Sequence, residues 1–147
     1  MNREIRTILL AEDSAADAEM TIDALCETKL ANPIVHVEDG VEALDYLLRT
    51  GGFSERGPGD PVVVLLDIKM PRMDGLEVLR RMRENERLKH VPVVILSSSR
   101  EDNDLVRSWD LGVNAYVVKP VDARQFFEAV QMLGQFWAVL NEPLPAD

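Results

Sequence analysis

The sequence predicts an α/β protein: a doubly wound parallel sheet of five strands with helices on both faces. Three observations carry that prediction. Residues 62–66 are an unbroken apolar run, and strands that are apolar on both sides belong to parallel sheets covered by helices. Four further short strand-like runs alternate with segments of helical periodicity. Several of the five runs end in a charged or hydroxyl side chain, and in open α/β sheets ligands sit beyond the carboxyl ends of the strands.

The first strand, Ile8–Ala11, ends in Glu12 and Asp13. Ser14 can cap the helix that follows, with Asp17 three residues on in a weak capping-box pattern. Met20, Ile22, Leu25 and Leu30 give that helix an apolar side, where Cys26 is expected as a small buried side chain. Asn32 and Pro33 stop it, because the residue before a proline disfavours the helical region. The second strand is Ile34–Val37, after which Asp39 and Gly40 open a helix with Val41, Leu44, Leu47 and Leu48 at helical spacing. Residues 50–60 hold Gly51, Gly52, Gly57, Pro58 and Gly59 and read as a loop. The third strand runs over 62–67 and ends in Asp67.

The helix Gly75–Glu84 places Leu76, Leu79 and Met82 on its apolar face and Arg80, Arg81 and Arg83 on its wet side. The fourth strand, 91–96, carries Pro92 at its start, where a missing amide is tolerated, and leads into Ser97, Ser98 and Ser99. A helix over 101–111 is expected to close on Gly112 at the left-handed position after its end. Trp109, on that helix, can serve either the core or the surface. The fifth strand, Ala115–Val118, leads into Lys119 and Pro120. Asp122 caps a last helix running to about Leu140, and residues 141–147 form a tail.

The 147 residues predict one domain, over 5–140, with no separate output domain. The single Cys26 cannot form an internal disulfide, which favours a reducing, cytoplasmic location. No apolar stretch approaches the roughly 20 residues needed to span a bilayer, and the N-terminus does not read as a signal peptide. A net charge of -10 argues against a nucleic-acid partner. Neither His36 nor His90 has acids or cysteines at ligand spacing.

In a parallel sheet all the carboxyl ends lie on one edge, so Glu12, Asp13, Asp67, Ser97 and Lys119 can converge there. Taken singly, each has a bland reading: a helix cap, a dipole-favouring acid pair, a polar loop, a surface turn. Their shared placement is harder to explain that way. Crowded carboxylates repel one another, and a divalent cation relieves the repulsion. Mg2+ suits one or two carboxylates, waters and a phosphate oxygen. Asp67 can then act as a nucleophile, since carboxylates form aspartyl phosphates. Lys119 and the Ser97 hydroxyl can meet phosphate oxygens, and metal and lysine together can stabilise the charge of phosphoryl transfer.

These residues closely resemble the receiver domain of bacterial two-component response regulators. The resemblance rests on Leu9-Leu10-Ala11-Glu12-Asp13, on Leu66-Asp67-Ile68-Lys69-Met70-Pro71-Arg72-Met73-Asp74-Gly75, on Val94-Ile95-Leu96-Ser97 and on Tyr116-Val117-Val118-Lys119-Pro120. It implies a flavodoxin-like fold with strand order 2-1-3-4-5, and Asp67 as the acceptor of a phosphoryl group from a sensor histidine kinase. It also implies Glu12, Asp13, Asp67 and the backbone carbonyl of Lys69 as Mg2+ ligands, Lys119 on the phosphoryl group, and a cis Lys119–Pro120 bond. Ser97 and Tyr116 would form a switch that is read out by the fourth helix, fifth strand and fifth helix. Glu12 stands where many receivers have aspartate. Lys69 and Ser99 would flank the path of an attacking water.

The extended loop over 50–60 and the ending with Phe136 and Trp137 resemble stand-alone receivers that partner bacterial phytochromes. Such a chain is not an enzyme acting on a separate substrate; its chemistry is its own phosphorylation and dephosphorylation. A histidine phosphotransfer protein is a further candidate partner. Trp137 and Leu140, expected to lie beyond the sheet on the last helix, would form an apolar patch for a homodimer. Among rivals, a haloacid-dehalogenase phosphatase needs an aspartate where Lys69 stands. A nucleotide hydrolase needs a phosphate-binding G-x-x-x-x-G-K-[ST] loop, absent from the sequence. A degenerate receiver that binds partners without phosphorylation stays open as the alternative.

Overall fold

A computed structural model describes residues 6–27, 32–57 and 59–131. Along these residues run β1 (Ile8–Ala11), α1 (Ala15–Glu27), β2 (Ile34–Val37), α2 (Gly40–Leu48), β3 (Val63–Asp67) and α3 (Gly75–Glu84). They are followed by β4 (Val93–Ser97), α4 (Arg100–Ser108), β5 (Ala115–Val118) and α5 (Ala123–Gln131). The strands form one five-stranded sheet in the order β2-β1-β3-β4-β5, with every pairing parallel. This is the predicted doubly wound arrangement.

The unbroken apolar runs have a direct cause. Ile8 and Leu10 of β1 and Val63 and Leu65 of β3 face one core with Leu25 of α1 and Phe126 of α5. Their sequence neighbours Leu9, Val64 and Leu66 face the other core, with Leu44 and Leu47 of α2 and Val78, Leu79 and Met82 of α3. Alternate residues of a strand point to opposite faces, so a strand covered on both sides must be apolar throughout. Each fully buried leucine contributes roughly 1.5–3 kcal/mol.

The helices depart from the sequence reading in places. On α1 the inward face is Ala18, Thr21, Ala24 and Leu25, while Met20 is 45% exposed. Cys26 is exposed, not buried, because one residue past Leu25 the helix has already turned its side chain away from the sheet. Leu48 and Phe127 are likewise exposed, beside the buried Leu47 and Phe126. Helix α4 stops at Ser108 instead of reaching Leu111. The amides of Trp109 and Asp110 close back onto the carbonyls of Val106 and Arg107, and Asp110 takes the left-handed backbone at φ 51. Gly112 is also left-handed, at φ 71, but lies later in the connection. Trp109, at the end of α4, is a surface residue at 51% exposure.

The loop over 50–60 contains a 3-10 turn, Gly51–Phe53. It is anchored on α2: the Phe53 ring meets Tyr46 edge-on at 5.2 Å, and the Arg56 guanidinium lies 4.2 Å over the Tyr46 ring. Leu30, Pro58, Leu133, Phe136, Trp137, Leu140 and the tail 141–147 lie outside the described residues, and so does the apolar patch expected to form a homodimer.

Gly75 sets how close α3 comes to the end of β3. A Cβ there would collide with the Asp67 carbonyl oxygen and crowd the Ile68 Cα, while the Gly75 amide donates to the Ile68 carbonyl at 2.8 Å. Gly40, at the start of α2, meets the Met73 backbone in the same way. Gly75→Ala should therefore lower unfolding stability by about 1–3 kcal/mol in urea titration, the usual cost of overpacking. Gly52→Ala, with nothing near the added carbon, should leave the urea midpoint within error of the parent.

Candidate functional site

The carboxyl edge of the sheet brings the sequence-predicted residues together. One ligand oxygen from each of Glu12, Asp13 and Asp67 lies within 4.8 Å of the others. Glu12 is fully buried and Asp67 is 5% exposed, while Asp13 faces solvent. Glu12 is held from several sides. Its amide donates to the Val37 carbonyl at 3.0 Å, its carbonyl lies 2.8 Å from His36 Nε2, and its Oε2 accepts from the Ser14 amide at 3.2 Å.

Lys119 enters the same space from the end of β5. Its Nζ lies 2.6 Å from Glu12 Oε1, 3.1 Å from Asp17 Oδ2 and 3.2 Å from Asp67 Oδ2. The contacts with Asp17 and Asp67 are hydrogen bonds, and Glu12 Oε1 meets the ammonium in the shortest ion pair of the three. The Lys119–Pro120 peptide is cis, as the resemblance implied, and the Lys119 amide donates to the Ser97 carbonyl at 2.7 Å.

Asp17 is a site residue that sequence reasoning missed. In the sequence it reads as part of a helix cap. Ser14 does cap α1, accepting the Asp17 amide at 3.2 Å, but the Asp17 carboxylate turns to Lys119. Its spacing from Asp13, one helical turn on, was the available signal.

Three acids around one ammonium, with Asp13 beside them, leave the site with excess negative charge. Burial pushes the Glu12 carboxyl up to about 7, with Lys119 opposing and Asp67 adding to the rise. Burial alone would lower Lys119, but its contact with Glu12 and the charge of Asp67 outweigh it and raise the ammonium above its ordinary value. Three clustered carboxylates match the hard oxygen donors that divalent cations such as Mg2+ take.

The remaining predicted residues sit around this centre. Ser97, at the end of β4, is buried, and its hydroxyl donates to Asn103 Oδ1 at 2.7 Å, with the Ser99 carbonyl at 3.1 Å. Asn103 was not foreseen; a polar residue three positions before the buried Val106 on α4 was the sign. Ser99 caps α4 by accepting the Asp102 amide at 3.2 Å. The Lys69 side chain is 75% exposed and lies 3.7 Å from Asp102 Oδ2. Tyr116 is half-buried on β5, with the Arg107 guanidinium 4.2 Å above its ring.

The loop after β3 is tied down by Arg72, which takes a left-handed backbone at φ 64. Its Nε donates to Asp39 Oδ2 at 2.8 Å, while Asp39 Oδ1 accepts the Glu42 amide at 2.8 Å to cap α2. Burial alone would raise the Asp39 carboxyl, but the bonds from Arg72 and the Glu42 amide hold it below its ordinary value.

A model of the response regulator receiver domain matches residues 8–131. The chain is 35% identical over 132 residues to Response regulator Rcp1 of Synechocystis sp., covering 90% of this chain and 88% of that protein. It is 58% identical to a solved structure of the bacteriophytochrome response regulator AtBRR, with a TM-score of 0.88 over 95% of this chain and all of that one. The bacteriophytochrome response regulator RtBRR gives 53% identity and a TM-score of 0.90, over 97% of this chain and 86% of that one. The Mn(2+)-bound form of Rcp1 gives 33% identity and a TM-score of 0.73, over 96% and 99%.

The Arg72–Asp39 pair makes a pH-dependent contribution to stability. A carboxyl held low in the folded state favours folding fully above its ordinary range, and that contribution is lost as pH falls through the lowered folded value. Arg72→Ala should lower the urea midpoint at neutral pH, and its deficit should shrink in acid as Asp39 protonates in both proteins.

Proposed function

The chain belongs to the response regulator receiver family, with Asp67 in the phosphoacceptor site, and we propose that a bacteriophytochrome-type histidine kinase supplies its phosphoryl group. The observation that carries this reading is the meeting of Glu12, Asp13 and Asp67 within 4.8 Å, with Lys119 3.2 Å from Asp67. The likeness to AtBRR and RtBRR supports the photoreceptor kinase as donor. The protein is not an enzyme acting on a separate substrate: its chemistry is the gain and loss of its own phosphoryl group.

In this reading Asp67 Oδ attacks the phosphorus of a phosphohistidine. The O–P bond forms as the P–N bond breaks, and the imidazole leaves with the electron pair. Asp67 is almost fully desolvated, which strengthens every charge interaction around the transfer. Lys119 is already hydrogen-bonded to Asp67 and can follow the charge onto a phosphoryl oxygen. The Ser97 hydroxyl is placed to donate to a second oxygen after reorienting. Glu12, Asp13, Asp67 and the Lys69 backbone carbonyl would hold a divalent cation, which we take to be Mg2+. When bound, the cation supplies electrostatic stabilisation for the transferring phosphoryl group. The Mn2+-bound form of Rcp1 supports a divalent cation at such a cluster.

The signal is read from the protein's own surface. We assign readout to α4, β5 and α5, through Ser97 and Tyr116. The Arg107 guanidinium over the Tyr116 ring joins α4 to β5. A histidine phosphotransfer protein is a further partner in this scheme, and a second copy of the chain another. No helix among the described residues is long and apolar enough to cross a membrane, and we place the protein in the cytoplasm with its kinase. The strongly acidic charge argues against a nucleic-acid partner.

Incubation with acetyl phosphate and Mg2+ should yield one phosphoryl adduct by intact mass, lost in Asp67→Asn and strongly reduced in Lys119→Ala. A wild-type protein that takes no adduct would refute the reading and favour a phosphorylation-independent binding module. Light scattering at tens of micromolar should show a dimer with or without phosphorylation; a monomer under both conditions removes the second copy from the scheme.

A further inference from the structure

The Ser97 hydroxyl has one proton to give. In this structure that proton is directed at Asn103 Oδ1, 2.7 Å away, with the Ser99 carbonyl oxygen at 3.1 Å as the other acceptor. Ser97 is 1% exposed and Asn103 is 5% exposed, so water does not compete for the bond. Asn103 is itself anchored. It lies on the inward side of α4, three residues before the fully buried Val106, and its backbone N–H donates to the Ser99 carbonyl. Ser99 in turn caps α4 through the Asp102 amide. The resting hydroxyl at the tip of β4 is thus tied to the first turns of α4.

A hydroxyl that donates to Asn103 cannot give the same proton to a phosphoryl oxygen on Asp67. We propose that Asn103 is a positioning residue: it holds Ser97 in the resting orientation, and phosphorylation of Asp67 has to draw Ser97 away from it. This rests on the reading of Ser97 as the hydroxyl that meets the phosphoryl group. What it adds is the place where the threshold is set, a side-chain amide on α4 that is not a member of the acid cluster.

The exchange is downhill, because a charged phosphoryl oxygen is a stronger acceptor than a neutral amide oxygen. It is less downhill by the worth of the Ser97–Asn103 bond. Once Ser97 leaves, Asn103 Oδ1 loses a donor in a nearly dry place, where an unsatisfied acceptor is costly. The amide must rotate or the first turn of α4 must shift to find a new partner. Occupancy of Asp67 thereby becomes a change in α4.

Beryllofluoride with Mg2+ serves as the phosphoryl mimic, and isothermal titration reads its affinity for the full chain. Asn103→Leu keeps the size and removes the acceptor. It should bind beryllofluoride about fivefold more tightly, the change expected from removing one ordinary net hydrogen bond from the resting state. Ser97→Ala should bind more weakly, and adding Asn103→Leu to Ser97→Ala should change nothing further. If Ser97→Ala weakens binding but Asn103→Leu does not tighten it, the positioning role is overturned while the role of Ser97 stands. Tightening that persists without the Ser97 hydroxyl also overturns it, because the effect then runs through something else. An unaltered affinity in Ser97→Ala instead sinks the underlying reading of Ser97, and the proposal with it. Should Asn103→Leu fail to fold, amide hydrogen exchange on the wild-type chain decides the matter. Exchange in residues 100–104 should change on adding beryllofluoride, and unchanged exchange there counts against the proposal.

Discussion

The site depends on one electrostatic arrangement: a single ammonium group, Lys119 Nζ, shared among Glu12, Asp17 and Asp67 at the edge of a parallel sheet. Without it, a fully buried glutamate beside a nearly buried aspartate would be uncompensated charge in a low-dielectric place. Even with it, negative charge exceeds positive, and Glu12 keeps a raised affinity for protons. That imbalance gives the site its chemistry. A group of acids left short of positive charge takes up a cation, and the cation and lysine together make room for a phosphoryl group that none of the acids alone could tolerate.

The rest of the fold holds that arrangement in register. β1 and β3 pair with Ala11 opposite Leu66, which brings Glu12 and Asp67 to the same level of the sheet. β4 pairs with β5 so that Ser97 lies opposite Val118, one residue before Lys119. The glycine at position 75 lets α3 start against the backbone of Asp67, and Arg72 fastens the intervening loop to the cap of α2. These contacts fix where Asp67 points, although apart from Gly75's approach to its backbone none of them touches it.

The proposed readout uses a softer part of the molecule. The connection from β4 into α4 is made of serines whose hydroxyls are engaged locally: Ser97 on Asn103, Ser98 on Asp102, Ser99 on the Asp102 amide. The Ser97 and Ser99 bonds, made to uncharged partners, are individually modest and can be exchanged for a charged acceptor, unlike the packed leucines of the two cores. In the proposed switch, a change at Asp67 rearranges the start of α4 while the sheet stays intact.

Much of this was legible in the residues themselves. Unbroken apolar runs ending in Asp67 and Glu12–Asp13 determined a two-sided parallel sheet with acids at one edge, because a strand covered on both faces has no other composition available. The Asp39 and Asp122 caps were similarly local, each accepting an amide three residues on. What only the tertiary structure decided lies in partners distant along the chain or hidden by helical phase. Asp17 looked like a capping residue until β5 brought Lys119 beside it, and Asn103 looked like one more polar residue on α4 until Ser97 came within reach. The exposure of Cys26 and Met20 followed from the rotation of α1 on the sheet, which apolar periodicity alone leaves undetermined by a residue. Sequence order specifies strand ends and caps because those depend on neighbours. Which side chain shares a proton or a charge with which depends on how helices settle on the sheet, and no short stretch of chain contains that information.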